Sequence, residues 1–137
     1  MTGIIAGNFD VIHPGYVFMF NEMKKHVNEI HVLLHIDPSM ERAEKIKPLL
    51  SVKDRKKTLL ALKGITNVSS YNSEEELLKL IIDLKPEFRF LGDDYKNRTD
   101  YTGFGLPPKI IFLNRDHGWS TTKFKNLIAK SILKQNQ

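Results

Sequence analysis

Three short stretches of this sequence bring together residue types that could do chemistry, and two of them suit phosphate. The first, "GNFDVIHPGY" at residues 7–16, follows the apolar run "GIIA" and sets Gly7, where backbone can approach a ligand closely, ahead of His13-Pro14-Gly15-Tyr16. A proline there suits the first turn of a helix, and a helix start offers unpaired N–H groups and partial positive charge to an anion. A histidine at that place can donate a hydrogen bond to phosphate. It can equally satisfy a turn carbonyl, and spacing alone leaves both readings of His13 open. The second stretch, "RDHGWSTTKFK", sets Arg115, a planar fork of donors, ahead of Gly118 and the hydroxyls of Ser120, Thr121 and Thr122 at another helix start. The third, "LGDDY", carries the paired carboxylates Asp93 and Asp94 after Gly92. Singly, the last two read as a capped surface helix with a solvated arginine and as an Asx-rich turn. Two helix starts facing one crevice, one with a histidine and one with an arginine, suit a polyphosphate better.

For these stretches to meet, the elements between them must bring them to one edge of a sheet. "TGIIAG" reads as a buried strand, and the helix after Pro14 should run to about Lys25 with Val17, Phe18, Phe20 and Met23 inward. "EIHVLLHI" at 29–36 is the clearest strand, and the polar 37–50 stretch, with Pro38 and Pro48, a loop holding a short helical turn. Ser51 with Asp54 opens a helix carrying Leu59, Leu60 and Leu62, and "NVSSY" is a strand. Ser73 with Glu76 caps a helix through Leu77, Leu80, Ile81 and Leu84. "FRFLG" and "KIIFL" are strands on either side of a long Gly/Pro-rich loop at 93–108, and Ser120 caps a last helix to about Lys134. Strand–helix alternation with short connections predicts an α/β fold: one doubly wound, Rossmann-like parallel sheet of five strands with helices on both faces. Such sheets bind ligands at the carboxyl ends of their strands, where the three stretches fall.

A chain of 137 residues suits a single domain spanning 1–137. No apolar run approaches the roughly 20 residues that cross a bilayer, and no signal-peptide pattern opens the chain. The absence of cysteine removes disulfides, thiolate metal sites and cysteine nucleophiles, and makes a cytoplasmic location the simplest expectation. The net charge of +5 suits anionic partners. Because the basic residues are dispersed and lack interleaved aromatics, neither nucleic acid nor a membrane surface is expected as a partner. His31 and His35 share one strand face, where core or crevice-lining histidines are far commoner than metal ligands; no metal site is expected.

In order and spacing, "GNFDVIHPGY", "LGDDY" and "RDHGWSTT" resemble the GxFDxxHxGH, GDD and RTEGxSTT motifs of the cytidylyltransferase family, most closely the small bacterial glycerol-3-phosphate cytidylyltransferases, over nearly the whole chain. The resemblance implies transfer of CMP from CTP to a small phosphate monoester such as glycerol 3-phosphate. Pyrophosphate would leave by direct in-line displacement. It implies that His13 contacts the α-phosphate, that Asn8 and Phe9 give backbone contacts to the nucleotide, that Asp10 buttresses the turn and that Gly15 lets the triphosphate come close. Arg115 with Ser120, Thr121 and Thr122 would hold the β- and γ-phosphates; Asp94 would lie on the nucleoside side, with Gly92 and Asp93 shaping that turn. Lys47, with Lys45 as the alternative, would bridge the two substrates' phosphates, and Arg55 and Lys63 would bind the acceptor's phosphate. Mg²⁺ would accompany CTP, and a homodimer is implied.

Three departures from that pattern matter: Tyr16 stands where the second histidine belongs, Asp116-His117 replaces Thr-Glu, and Trp119 is bulkier than usual. A neutral tyrosine donates one hydrogen bond but adds no positive charge; His117 faces the same crevice and offers a replacement cation. Tyr16 also sustains a second reading, a nucleotide-binding homologue with little or no catalysis and a structural or regulatory role. A third reading is a nucleotidyltransferase with another base or acceptor, since Lys63 and the loop changes touch the acceptor side.

Overall fold

Strand β1 (Thr2–Gly7) buries Ile4 and Ile5, neighbours that point to opposite faces, so the sheet needs cover on both sides. The computed structural model, which describes residues 1–136, supplies that cover. After β1 come α1 (Pro14–Met23), β2 (Glu29–His35), α2 (Val52–Leu60), β3 (Ile65–Tyr71), α3 (Glu74–Leu84), β4 (Phe88–Gly92), β5 (Lys109–Leu113) and α4 (Thr121–Gln135). Short 3₁₀ turns lie at Pro38–Met40 and Asp93–Tyr95. The five strands are parallel, in the order β3-β2-β1-β4-β5, as the doubly wound reading requires.

On one face Ile5, Val32, Leu34, Phe90 and Leu113 pack with Phe20 and Met23 of α1 and Leu59 of α2. On the other, Ile4, Leu33 and Tyr71 pack with Leu77 and Ile81 of α3, and Leu106 from the 93–108 loop joins them. Val17 and Phe18, expected inward, are 44% and 41% exposed. Tyr16, Met19, Phe20 and Met23 form the stripe that meets the core, leaving Val17 on its flank and Phe18 on the opposite side of the helix. Ser51, Ser73 and Ser120 each cap a helix by accepting from the amide three residues on.

The strand order reverses between β1 and β4. β1 pairs with β2 along its length, from Thr2↔Glu29 to Gly7↔Leu34. With β4 it pairs only at Gly3↔Phe88 and Ile4↔Arg89. Beyond Ile4 the two strands part, and a crevice of about 470 Å³ opens between their carboxyl ends. The switch-point position is the one the sheet's topology dictates.

Two buried charges hold the rim of that opening. Arg55, 2% exposed, donates from Nε to the Leu50 carbonyl at 3.0 Å, from Nη1 to Asn8 at 3.0 Å and His35 at 2.8 Å, and from Nη2 to Ile36 at 2.7 Å. Its expected place on the acceptor's phosphate gives way to a different role: the fork satisfies carbonyls at the ends of β1 and β2. Lys63 needs the same correction. It lies just ahead of β3, beside Val17, Lys24 and Leu62, on the amino edge of a parallel sheet and so opposite the crevice. Replacing Arg55 by Met should lower the unfolding free energy by roughly 3–5 kcal/mol, because it strands buried carbonyls that water cannot reach. A urea midpoint within error of the wild type would exclude the stitching role.

Candidate active site

The start of α1 is built from His13. Its Nδ1 accepts the Gly15 amide at 3.1 Å, capping the helix, while Pro14 occupies the first turn. An accepting Nδ1 places the imidazole proton on Nε2, which faces the Thr121 hydroxyl at 3.3 Å. Thr121 is the first residue of α4, and its Oγ1 also lies 2.7 Å from the Tyr16 hydroxyl. The Tyr16 ring stacks on His13 with centroids 4.3 Å apart. Three polar side chains from two helix starts therefore meet at one point.

The surroundings decide their charge states. Burial, and after it the neighbouring His117, holds His13 below the ordinary imidazole value, so the ring is a neutral donor at neutral pH. Burial pushes the Tyr16 phenol up, against the pull of the Thr121 hydrogen bond and of Arg115, so it remains a hydroxyl. The positive character of this corner comes instead from the backbone. α2 carries Asp54, and α3 carries Glu74, Glu75 and Glu76, in their first turns; α1 and α4 carry no acid there. Acids neutralise a helix's positive end, so the ends at His13 and Ser120 are the two left for an anion.

Gly15 joins the two helix starts. A Cβ added to it would lie 2.7 Å from the Trp119 side chain and 2.8 Å from each of the His13 and His117 rings. What comes close to this glycine is thus the 117–119 loop. Gly118 takes a left-handed φ of 78°, which bends that loop toward it. His117 accepts the Trp119 amide on Nδ1 at 3.0 Å, and its buried Nε2 has no partner.

Asp10 is fully buried and accepts the Leu49 amide at 2.8 Å, the Leu50 amide at 3.0 Å and the Lys125 ammonium of α4 at 2.7 Å. Burial alone would push its carboxyl up, but Lys125 and the two amides hold it below the ordinary value. It buttresses the turn and ties the 37–50 loop to α4. Phe9, with a left-handed φ of 48°, buries its ring 5.1 Å from Tyr16.

Around the crevice, Gly7, Asn8, Tyr16, Gly92, Asp94 and Arg115 line the wall as the sequence suggests. Arg115 lies 3.4 Å from the Asp94 carboxylate, both half exposed, a weak pair that leaves the guanidinium free to take an incoming anion. Asp93 is exposed beside it. Of the loop lysines, Lys45 lines the crevice together with Arg42, and Lys47 is not among the lining residues. Ser120 caps α4 from the rim, and Thr122 is exposed on its first turn. The crevice also reaches residues that sequence reasoning passed over: Arg89 and Tyr71 on its floor, and Tyr95 and Tyr101 from the 93–108 loop. Arg89 left a trace, being the only charge in the apolar strand "FRFLG". No helix among the described residues is long and apolar enough to cross a membrane.

Comparison with known proteins finds relatives over most of the chain. A cytidylyltransferase-like family model matches residues 4–127. The FAD synthase of Methanohalophilus mahii is 34% identical over 100% of this chain and 98% of its own length. The FAD synthase of Methanosarcina mazei is 29% identical over 81% of this chain and 76% of its own. A crystal structure of the lipopolysaccharide core biosynthesis protein from Thermoplasma volcanium superimposes with a TM-score of 0.66 at 24% identity, covering 82% of this chain and 95% of that one; it shares the fold.

The buried histidines set a pH dependence. Burial holds His13, His31 and His35 below the ordinary 6.5. The unfolded chain therefore binds protons that the folded chain refuses. Stability is full above that value and falls as pH drops through it toward the lower folded values. The urea midpoint is expected to drop between about pH 7.5 and about pH 5.5, above the range where carboxylates titrate. A level or rising midpoint on acidification would contradict the buried neutral state.

Proposed function

The chain belongs to the cytidylyltransferase-like family, and from that premise we propose that it transfers AMP from ATP to the phosphate of FMN, forming FAD and releasing pyrophosphate. The observation that carries the transfer is the meeting of His13, Tyr16 and Thr121 between two acid-free helix starts, beside Arg115. The choice of ATP and FMN is supported by similarity over nearly the full length to proteins named FAD synthase.

An oxygen of the acceptor's phosphate attacks the α-phosphorus in line with the bond to pyrophosphate; that bond breaks and its electron pair leaves on the pyrophosphate oxygen. The protein's part is to hold two anions together and to receive charge as it shifts. His13 donates a hydrogen bond from Nε2 to a non-bridging α-phosphate oxygen, as a neutral ring that keeps its proton. Arg115, leaving Asp94, forks onto the outer phosphates with the α4 amides. Lys45 and Arg42, which line the crevice, would receive the acceptor's phosphate in this reading. Mg²⁺ would ride on the nucleotide's phosphates, since no three His, Asp or Glu side chains among the described residues gather to hold a metal.

Cytidylyl transfer to glycerol 3-phosphate is the second reading, favoured by the R-x-x-G-x-S-T-T ending at Arg115, Gly118, Ser120, Thr121 and Thr122. Against a non-catalytic role stands the fit of Tyr16, whose hydroxyl is engaged at the head of α4. The implied homodimer would cover the exposed apolar residues Leu127, Ile128, Ile132 and Leu133 of α4. Light scattering should then return twice the mass of one chain, and Leu127→Lys should halve it.

The activity test pairs ATP or CTP with FMN or glycerol 3-phosphate in the presence of Mg²⁺ and follows pyrophosphate and product. FAD is expected from ATP with FMN alone. CDP-glycerol from CTP and glycerol 3-phosphate would replace the proposal with the second reading. Bound nucleotide without turnover from any pair would replace it with a non-catalytic role. His13→Ala should lower kcat by roughly 10²–10³-fold, the usual cost of one transition-state donor.

A further inference from the structure

Arg89 sits on β4 opposite Ile4, the last pair before the two strands part, and its side chain lines the crevice. It is 5% exposed, yet no carboxylate among the described residues lies within ion-pair distance of it. One Nη1 donor reaches the Thr102 carbonyl, and the Tyr101 ring lies 5.5 Å from the guanidinium carbon. No other acceptor among the described residues takes its remaining donors. Buried cations are normally paired and their donors filled. This one faces a cavity instead.

The neighbours of Arg89 narrow what could fill that cavity. His35, at the end of β2, lines the crevice with its ring stacked on Tyr71 at 4.7 Å. Tyr95 and Tyr101 meet edge to face at 5.9 Å. These side chains line the same crevice as Arg89, and the phosphate-handling corner at His13 and Thr121 lies on other elements, at the starts of α1 and α4. Aromatic walls beside a guanidinium with unfilled donors suit a flat conjugated ring whose edge carries carbonyl oxygens or ring nitrogens. A glycerol phosphate has no flat face to offer them.

We propose that this inner lobe is the subsite for the acceptor's isoalloxazine ring and that Arg89 is its specificity-determining residue, donating to the carbonyl-bearing pyrimidine edge. The proposal rests on the FMN reading of the site. The phosphate of FMN would then point outward to the α-phosphate of the nucleotide, past Gly7 and Gly92.

Riboflavin separates ring from phosphate, because it carries the ring alone. Added to the full chain, it should lose fluorescence and shift its long-wavelength absorption band as the ring meets tyrosines and a guanidinium. Arg89→Gln should weaken riboflavin binding by roughly tenfold or more and remove the band shift, while ATP binding to the same variant stays within about twofold. Arg89→Lys, which keeps the charge and loses the fork, should fall between. Unchanged riboflavin binding and band shift in Arg89→Gln would overturn the assignment of Arg89 while leaving FAD synthesis intact. Parallel loss of riboflavin and ATP would make Arg89 a prop for the 96–107 loop and would also overturn it. A wild-type chain that makes FAD but binds no riboflavin overturns the ring subsite alone; one that makes no FAD and binds no flavin removes the reading beneath it.

Discussion

The parting of β1 and β4 beyond Ile4 and Arg89 is the constraint on which the rest of the molecule depends. Where two parallel strands stop pairing, their backbone groups lose partners in the middle of a sheet, the least solvated place in the fold. Beside that opening, where the chain leaves β1 and β2, stand one buried anion and one buried cation. Asp10 accepts the amides of Leu49 and Leu50; Arg55 donates to the carbonyls of Asn8, His35, Ile36 and Leu50. An acceptor-only group and a donor-only group thus satisfy complementary orphans where the 37–50 loop meets the ends of β1 and β2. Lys125 then ties Asp10 to α4, so the rim of the crevice and the second phosphate-facing helix share one anchor.

With the rim fixed, the phosphate corner needs little charge of its own. His13 is held neutral and Tyr16 is held protonated, both chiefly by burial. The field that draws an anion comes from two helix ends left without acids, and from Arg115, Arg42 and Lys45 on exposed ground nearby. A second histidine beside His13 would sit in the same low-dielectric corner, where burial works against its protonation. Tyrosine at position 16 therefore forfeits less positive charge than the motif comparison implies. It keeps a hydroxyl that reaches Thr121 and a ring that packs on His13.

The strands, the serine caps and the strand-end positions of the three motif stretches were legible in the sequence because each rests on local rules: alternation, capping chemistry, and the placing of loops at strand ends. What was not legible depends on burial. Arg55 on a helix of lysines looks like any surface arginine, and only the fold reveals four carbonyls around it. Lys63 was carried to the crevice by spacing along a helix, but that helix ends before position 63, and the chain has by then returned to the amino edge of the sheet. The roles of Gly15 and His117 depend on the 117–119 loop folding against α1, a long-range packing event that leaves no local mark. Arg89 did leave one, as a lone charge in an apolar strand.

These differences follow a single division in the site. The motifs that are easiest to recognise lie at helix starts and strand ends because phosphate recognition uses backbone amides, whose placement is fixed by glycine, proline and capping residues. The far end of the crevice is read by side chains on β4, β3 and the 93–108 loop, none of which enters a phosphate motif except through Gly92 and Asp94. A chain can keep the first set intact while the second changes freely, because transfer at the α-phosphorus does not depend on what the acceptor carries beyond its phosphate. Motif resemblance thus identifies the bond that is made and broken. Under the flavin reading proposed above, the group beyond the acceptor's phosphate would be selected by residues such as Arg89 and Tyr101, which lie outside the motifs.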